Sequence, residues 1–114
     1  MKKRDYGDYV EDMVTAIADI EQFIKGMGFE EFSRDKKTVF AVVRAIEIIG
    51  EAARQIPEPL KNKHTQVPWK EMAGIRNKIA HEYFGVDVEV IWNTVKENIP
   101  QLKPLINDML RDMN

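Results

Sequence analysis

Cysteine is absent from the 114-residue chain, serine occurs once (Ser33) and histidine twice (His64 and His81). Without cysteine the chain has no disulfide framework, no thiolate metal site and no thiol nucleophile, which is typical of a cytoplasmic protein. Ser33 is not part of a Gly-x-Ser-x-Gly turn, and the two histidines lack the spacing of a metal-binding pair. We therefore expect neither a bound metal nor another cofactor.

Long apolar runs are also missing. No segment approaches the roughly 20 apolar residues that cross a membrane. The basic opening MKKR runs directly into acidic residues, which is unlike a signal peptide. We expect a cytoplasmic protein with no membrane contact, and the length predicts that residues 1–114 form a single domain.

Basic residues do not outnumber acidic residues overall, but they are concentrated in one segment. The net charge of −2 excludes a globally basic surface for nucleic acid. Residues 61–78 nevertheless contain five basic side chains against one acidic side chain. Two of these, Lys70 and Lys78, are our candidates for contacting an anionic ligand.

Apolar residues recur at intervals of three and four in four segments, which predicts four long helices. The first covers residues 6–27, and the second follows Ser33 as its N-cap and stops before Pro57. The third begins at Pro68 and runs to Gly85, and the fourth covers residues 88–109, where we expect prolines 100 and 104 to kink or divide it. The connector 57–68 has room for one short helical turn. No segment alternates like a strand, so we predict an all-α, compact up-and-down bundle of four to five helices.

An arginine occupies a position in the third helix where a hydrophobe is expected. Arg76 lies near the centre of an apolar arc made by Trp69, Met72, Ala73, Ile79, Ala80 and Tyr83. A desolvated guanidinium needs an anionic partner. One interpretation is a buried ion pair with Glu47 or Glu51; the other is a cation held for an anion in a cleft or subunit seam.

His81 lies about 140° around a regular helix from Arg76, so the two side chains do not easily meet on one straight helix. Either the helix is distorted between them, or both reach a groove completed by another element or a second subunit. On the second helix, Arg44, Glu47, Glu51 and Arg54 share one face. They form exposed salt bridges, or Glu47 or Glu51 orients Arg76 or His81.

Residues 76–83, RNKIAHEY, resemble the R-x4-H-x-Y signature of the HepT-like branch of the HEPN superfamily. The resemblance also includes EIIGEAA at 47–53, Trp69, and the helix that contains Trp92 and Pro100, so it covers nearly the whole chain. It implies a HEPN-like helical bundle that forms a homodimer.

The resemblance further implies the toxin of a type II/VII-like toxin–antitoxin system, a metal-independent endoribonuclease with its site at the dimer interface. Arg76 and His81 are the implied catalytic residues, with a supporting role for Asn77. Lys70 and Lys78 of the basic segment are our candidates for binding the RNA, and Glu47 and Glu51 stay supporting candidates on the charge pattern of the second helix. The implied antitoxin is an MntA-like nucleotidyltransferase that transfers AMP to Tyr83.

Two other functions fit the same residues. The bundle could be a non-catalytic partner subunit of a nucleotidyltransferase, holding RNA or nucleotide through Arg76. It could also be a dimeric interaction protein whose motif is only an ion-pair network. The enzyme differs from both in requiring His81 for proton transfer.

Overall fold

The computed structural model describes residues 5–79 and 87–113, apart from the side chains of Arg76 and Ile79. Within these ranges the secondary structure is helical, without a strand. The helices are α1 (Tyr6–Phe23), α2 (Phe29–Arg34), α3 (Lys36–Arg54), α4 (Glu58–Lys63), α5 (Trp69–Ile79), α6 (Val88–Asn93) and α7 (Ile99–Met113), and a π-helical segment, Thr94–Asn98, joins α6 to α7. The predicted all-α fold is confirmed.

The helices α6 and α7 and the π-helical segment form one uninterrupted run, so the described residues contain six helical runs. Four are long and correspond to the four predicted helices. The helix α4 is the short turn expected within the connector, whereas α2 was not predicted. The prediction of four to five helices is therefore too low by one.

The beginning of α3 corrects a predicted cap. Ser33 lies inside α2, where its hydroxyl donates to the Glu30 carbonyl at 2.8 Å. The N-cap of α3 is Asp35, whose carboxylate accepts from the Thr38 amide at 3.1 Å. Hydrogen bonds from the Thr38 amide and hydroxyl to the ionised carboxylate lower the pKa of Asp35. Serine and aspartate are both good N-caps, and here aspartate is the residue at the boundary.

The end of α1 comes earlier than predicted. The helix stops at Phe23 and a turn follows, in which Gly26 has a φ of 78°. This left-handed conformation is accessible to glycine without a steric penalty. The apolar spacing predicts a helix that continues to residue 27. It does so because Ile24 and Met27 are apolar residues that pack against the core from the turn.

The core is formed mainly by α1, α3 and α7, and α5 packs against α3 and adds Met72 to it. Each long helix contributes an apolar stripe, and the fully buried side chains include Val10, Met13, Ile17, Ile20, Phe32, Val42, Ile46, Ile91, Ile106 and Met109. Because α5 packs mainly on α3 and α7 mainly on α1, a seam separates α5 from α7. Among the described residues, no helix combines the length and apolarity that a bilayer crossing needs.

The π-helical segment precedes Pro100. The Ile99 amide donates to the Thr94 carbonyl, five residues back, and the Thr94 hydroxyl donates to the Val90 carbonyl at 2.8 Å. Proline has no amide hydrogen and its ring clashes with the carbonyl four residues earlier, so a wider turn before it relieves the clash. The expected disturbance at Pro100 is thus a π turn, while α7 continues through Pro104.

Glycine at position 50 allows α3 and α5 to approach closely. A Cβ atom at Gly50 would lie 3.0 Å from the Met72 carbonyl oxygen and 3.3 Å from Ile75 Cγ2. The first contact is with backbone, which yields less readily than the end of a flexible side chain. Only glycine therefore fits this crossing without displacing α5.

We predict that Gly50→Ala lowers the free energy of unfolding by about 1–2 kcal/mol, because overpacking exceeds the gain in helix propensity. The matched control is Gly74→Ala in α5, where a new Cβ atom would meet nothing within 4 Å. That substitution should stabilise the protein by about 0.5–1 kcal/mol. Urea titration measures both values, and equal effects of the two substitutions would contradict the close packing at Gly50.

Candidate active site

The signature predicted from the sequence begins on the C-terminal half of α5. The backbone of Arg76 is part of this helix, and the side chains of Asn77 and Lys78, which follow it, are exposed. His81 and Tyr83 lie outside the described residues, as does the side chain of Arg76. The roles assigned to these three residues stay predictions, as does the supporting role of Asn77.

The first turn of α5 is anchored to the connector before it. The Pro68 carbonyl accepts from the Met72 amide at 3.0 Å, and α5 begins at Trp69, one residue after the predicted start. Trp69 Nε1 donates to the His64 carbonyl at 3.0 Å, and Lys61 Nζ lies 6.0 Å from the centroid of the indole ring. His64 thus contributes a backbone acceptor that fixes the beginning of the helix.

The middle of α5 is held by α3. One helical turn after Gly50, Arg54 donates from Nε and Nη2 to the Ala73 carbonyl oxygen, at 3.1 and 2.8 Å. The charge pattern of α3 predicts that Arg54 forms an exposed salt bridge. Its guanidinium instead binds the backbone of the neighbouring helix.

The two glutamates of α3 differ in their surroundings. Glu51 is exposed and pairs with Arg44 at 3.4 Å, which agrees with the predicted salt bridging along this face. With the side chains 60% and 54% exposed, such a pair contributes little to stability. Glu47 is half-buried. Whether either glutamate orients Arg76 or His81 stays a prediction.

A groove of about 780 Å³ runs along the seam between α5 and α7. Its surface is mainly aliphatic, formed by Ile49, Met72, Ile75, Ile99, Leu102 and Leu105. Lys70 and Lys78 both line it from α5, together with Glu71. The structure therefore brings the two lysines predicted to bind RNA to one groove.

Three residues with amide side chains also line the groove and were not predicted. Asn98 and Gln101 line it from the π-helical segment and α7, and Gln66 lines it from the connector. The proline at 100 was a sequence signal for irregular backbone here, but it gave no indication that these residues line the same groove as Lys70 and Lys78. Amides can donate and accept hydrogen bonds, so the groove is suited to a ligand with polar groups.

Among the described residues, no three histidine, cysteine or carboxylate side chains form a group that could hold a metal ion.

Comparison with known proteins identifies relatives along almost the whole chain. A family profile described as Ribonuclease HepT-like matches residues 13–109, which include the complete signature. A protein from Thermococcus cleftensis named "Probable ribonuclease HepT" is 56% identical over 101 residues, 89% of this chain and 92% of the relative. No solved structure shows a significant match.

Two further relatives are each named as a candidate RNase. The one from Methanocaldococcus jannaschii is 40% identical over 113 residues, 99% of this chain and 97% of the relative. The one from Caldanaerobacter subterraneus is 41% identical over 103 residues, 90% of this chain and 92% of the relative. The resemblance inferred from the signature is thereby confirmed, and the chain belongs to the HepT-like ribonuclease family.

Proposed function

We propose that this protein is a metal-independent endoribonuclease, in which Arg76 and His81 from the two subunits of a homodimer form composite sites. The observation that carries the proposal is the complete signature at 76–83, which begins on α5 and lies inside the segment matched by the HepT-like profile. The names of the relatives support RNA as the substrate.

The chemistry follows from the side chains of the signature. RNA carries its own nucleophile, the 2′-hydroxyl, next to the bond to be broken. His81 transfers protons, taking one from the 2′-hydroxyl and supplying one to the departing 5′-oxygen, since imidazole titrates near neutral pH. Arg76 binds two phosphate oxygens and stabilises the charge that develops on phosphorus. The products are a 2′,3′-cyclic phosphate and a 5′-hydroxyl.

We further propose that part of the RNA strand binds in the groove, on the face of α5 that carries Lys70 and Lys78. Lys70 and Lys78 are eight residues apart on α5, about 12 Å along its axis, so they can contact different phosphates of one strand. On a regular helix position 78 lies about 160° around the axis from position 76, so the groove and the predicted catalytic position are on nearly opposite faces of α5. The exposed side chain of Asn77 lies between these two faces.

We further propose that the enzyme is the toxin of a type II/VII-like toxin–antitoxin system, neutralised by an MntA-like nucleotidyltransferase that AMPylates Tyr83. An AMP group on Tyr83 would add bulk and a phosphate that competes for Arg76. Recovery of unmodified protein, by intact mass, after incubation with the cognate nucleotidyltransferase, ATP and magnesium would contradict this part of the proposal.

We predict that Arg76→Ala and His81→Ala each reduce the rate of RNA cleavage in excess EDTA by about 10²–10³-fold, because each removes a group that acts in the transition state. The assay follows labelled RNA incubated with protein shown by mass to be unmodified. The matched control is Arg111→Ala on α7, which removes an exposed arginine paired with Asp108 at 2.9 Å. This variant should retain full activity.

The same assay distinguishes the alternative function. If the unmodified dimer binds RNA but cleaves none, the protein is a non-catalytic partner subunit and the proposed enzyme is wrong. If His81→Ala cleaves as fast as the unsubstituted protein, the assigned proton transfer is wrong.

For the groove, we predict that Lys70→Ala and Lys78→Ala each weaken RNA binding and reduce the slope of log affinity against log salt by about 0.7, the value for one phosphate contact with a single strand. Lys103→Ala is the control, since Lys103 pairs with Glu21 at 2.9 Å and does not line the groove. Binding isotherms at several salt concentrations give the slopes. An effect of Lys103→Ala equal to that of the groove lysines would show that the contribution is not specific to the groove.

A further inference from the structure

Two contacts from the last turns of α3 hold the backbone of α5 just before Arg76. At Gly50 the two helices are so close that an added Cβ would lie 3.0 Å from the Met72 carbonyl oxygen. Four residues later, Arg54 donates two hydrogen bonds to the Ala73 carbonyl oxygen, at 3.1 and 2.8 Å. The two carbonyl groups, of Met72 and Ala73, are adjacent in α5, so both contacts act on the same turn.

The Ala73 carbonyl connects this turn to the signature. In an α-helix it is also the acceptor for the amide of Asn77, four residues later. A carbonyl oxygen has two lone pairs and can accept from both donors. Arg54 and the Asn77 amide therefore share one acceptor, and Asn77 directly follows Arg76.

We propose that Arg54 is a positioning residue for the ribonuclease site, which fixes the rotation of α5 and thereby the place of Arg76 and Asn77. The inference rests on the proposed function and names a residue outside the signature. The close approach at Gly50 limits movement of α5 toward α3, and the guanidinium limits its rotation. Displacement of a catalytic group by about 1 Å costs on the order of 10²-fold in rate. A contact at Ala73, three residues before Arg76, is therefore close enough along the helix to affect catalysis.

The planar guanidinium is essential to this role. Its Nε and Nη2 donors point the same way and reach one oxygen together, whereas an ammonium has a single nitrogen at the end of a flexible chain. The contact is made to backbone, so it constrains the helix without depending on any side chain of α5. Lysine at position 54 should therefore restore only part of the function.

The test combines kinetics with a measurement that needs no RNA. We expect Arg54→Ala to lower kcat at least tenfold with KM changed less than twofold, and Arg54→Lys to recover part of the loss. Arg111→Ala is the matched control and should change neither parameter. By NMR of the protein without RNA, Arg54→Ala should shift the Ala73 carbonyl ¹³C resonance and speed amide exchange at Asn77, with α1 and α7 unchanged.

The outcomes separate this inference from the function on which it rests. Unchanged Ala73 and Asn77 signals in Arg54→Ala would overturn the inference alone, as would an unchanged kcat in protein whose Arg76→Ala variant is inactive. A loss of activity that only follows the unfolded fraction in urea titration would also overturn it. If the unsubstituted protein cleaves no RNA, the proposed function is wrong while the NMR result still decides whether Arg54 holds α5.

Discussion

The close crossing of α3 and α5 at Gly50 is the constraint on which the rest of the candidate site depends. A side chain larger than hydrogen at this position would contact the Met72 carbonyl of α5 at 3.0 Å. Because the helices are this close, Arg54 reaches the Ala73 carbonyl one turn further along. The signature begins three residues after Ala73. Its first residue is thus carried by a helix whose position is set through backbone contacts.

The seam between α5 and α7 results from the same packing. The helix α5 packs mainly on α3, and α7 packs mainly on α1. The aliphatic side chains between α5 and α7 therefore remain accessible in a groove. The π-helical segment before Pro100 contributes Asn98 to the lining of this groove, and α5 contributes Lys70 and Lys78. Irregular helical turns of this kind are frequent at functional sites. The groove therefore combines apolar surface, amides and positive charge in one place.

Periodicity predicted the long helices because each buries a single stripe, and Pro57 and Pro68 marked where helices stop and start. It missed α2, since six residues are too few to show a helical period. The choice between Ser33 and Asp35 as cap could not be made from residue type alone. The family was predictable from residues 76–83, whereas the contact of Arg54 with Ala73 was not. Spacing along one helix assigns a face but does not identify the atoms of the neighbouring helix.

Attack of the 2′-hydroxyl on the adjacent phosphorus is the central step of the proposed reaction. The most direct test is cleavage of an RNA in which the single nucleotide 5′ of the mapped cut site carries hydrogen in place of that hydroxyl. Incubated with unmodified protein in EDTA, the substituted RNA should remain intact at that bond, while the unsubstituted RNA yields a 2′,3′-cyclic phosphate. Cleavage of the substituted RNA at the same bond would contradict the account.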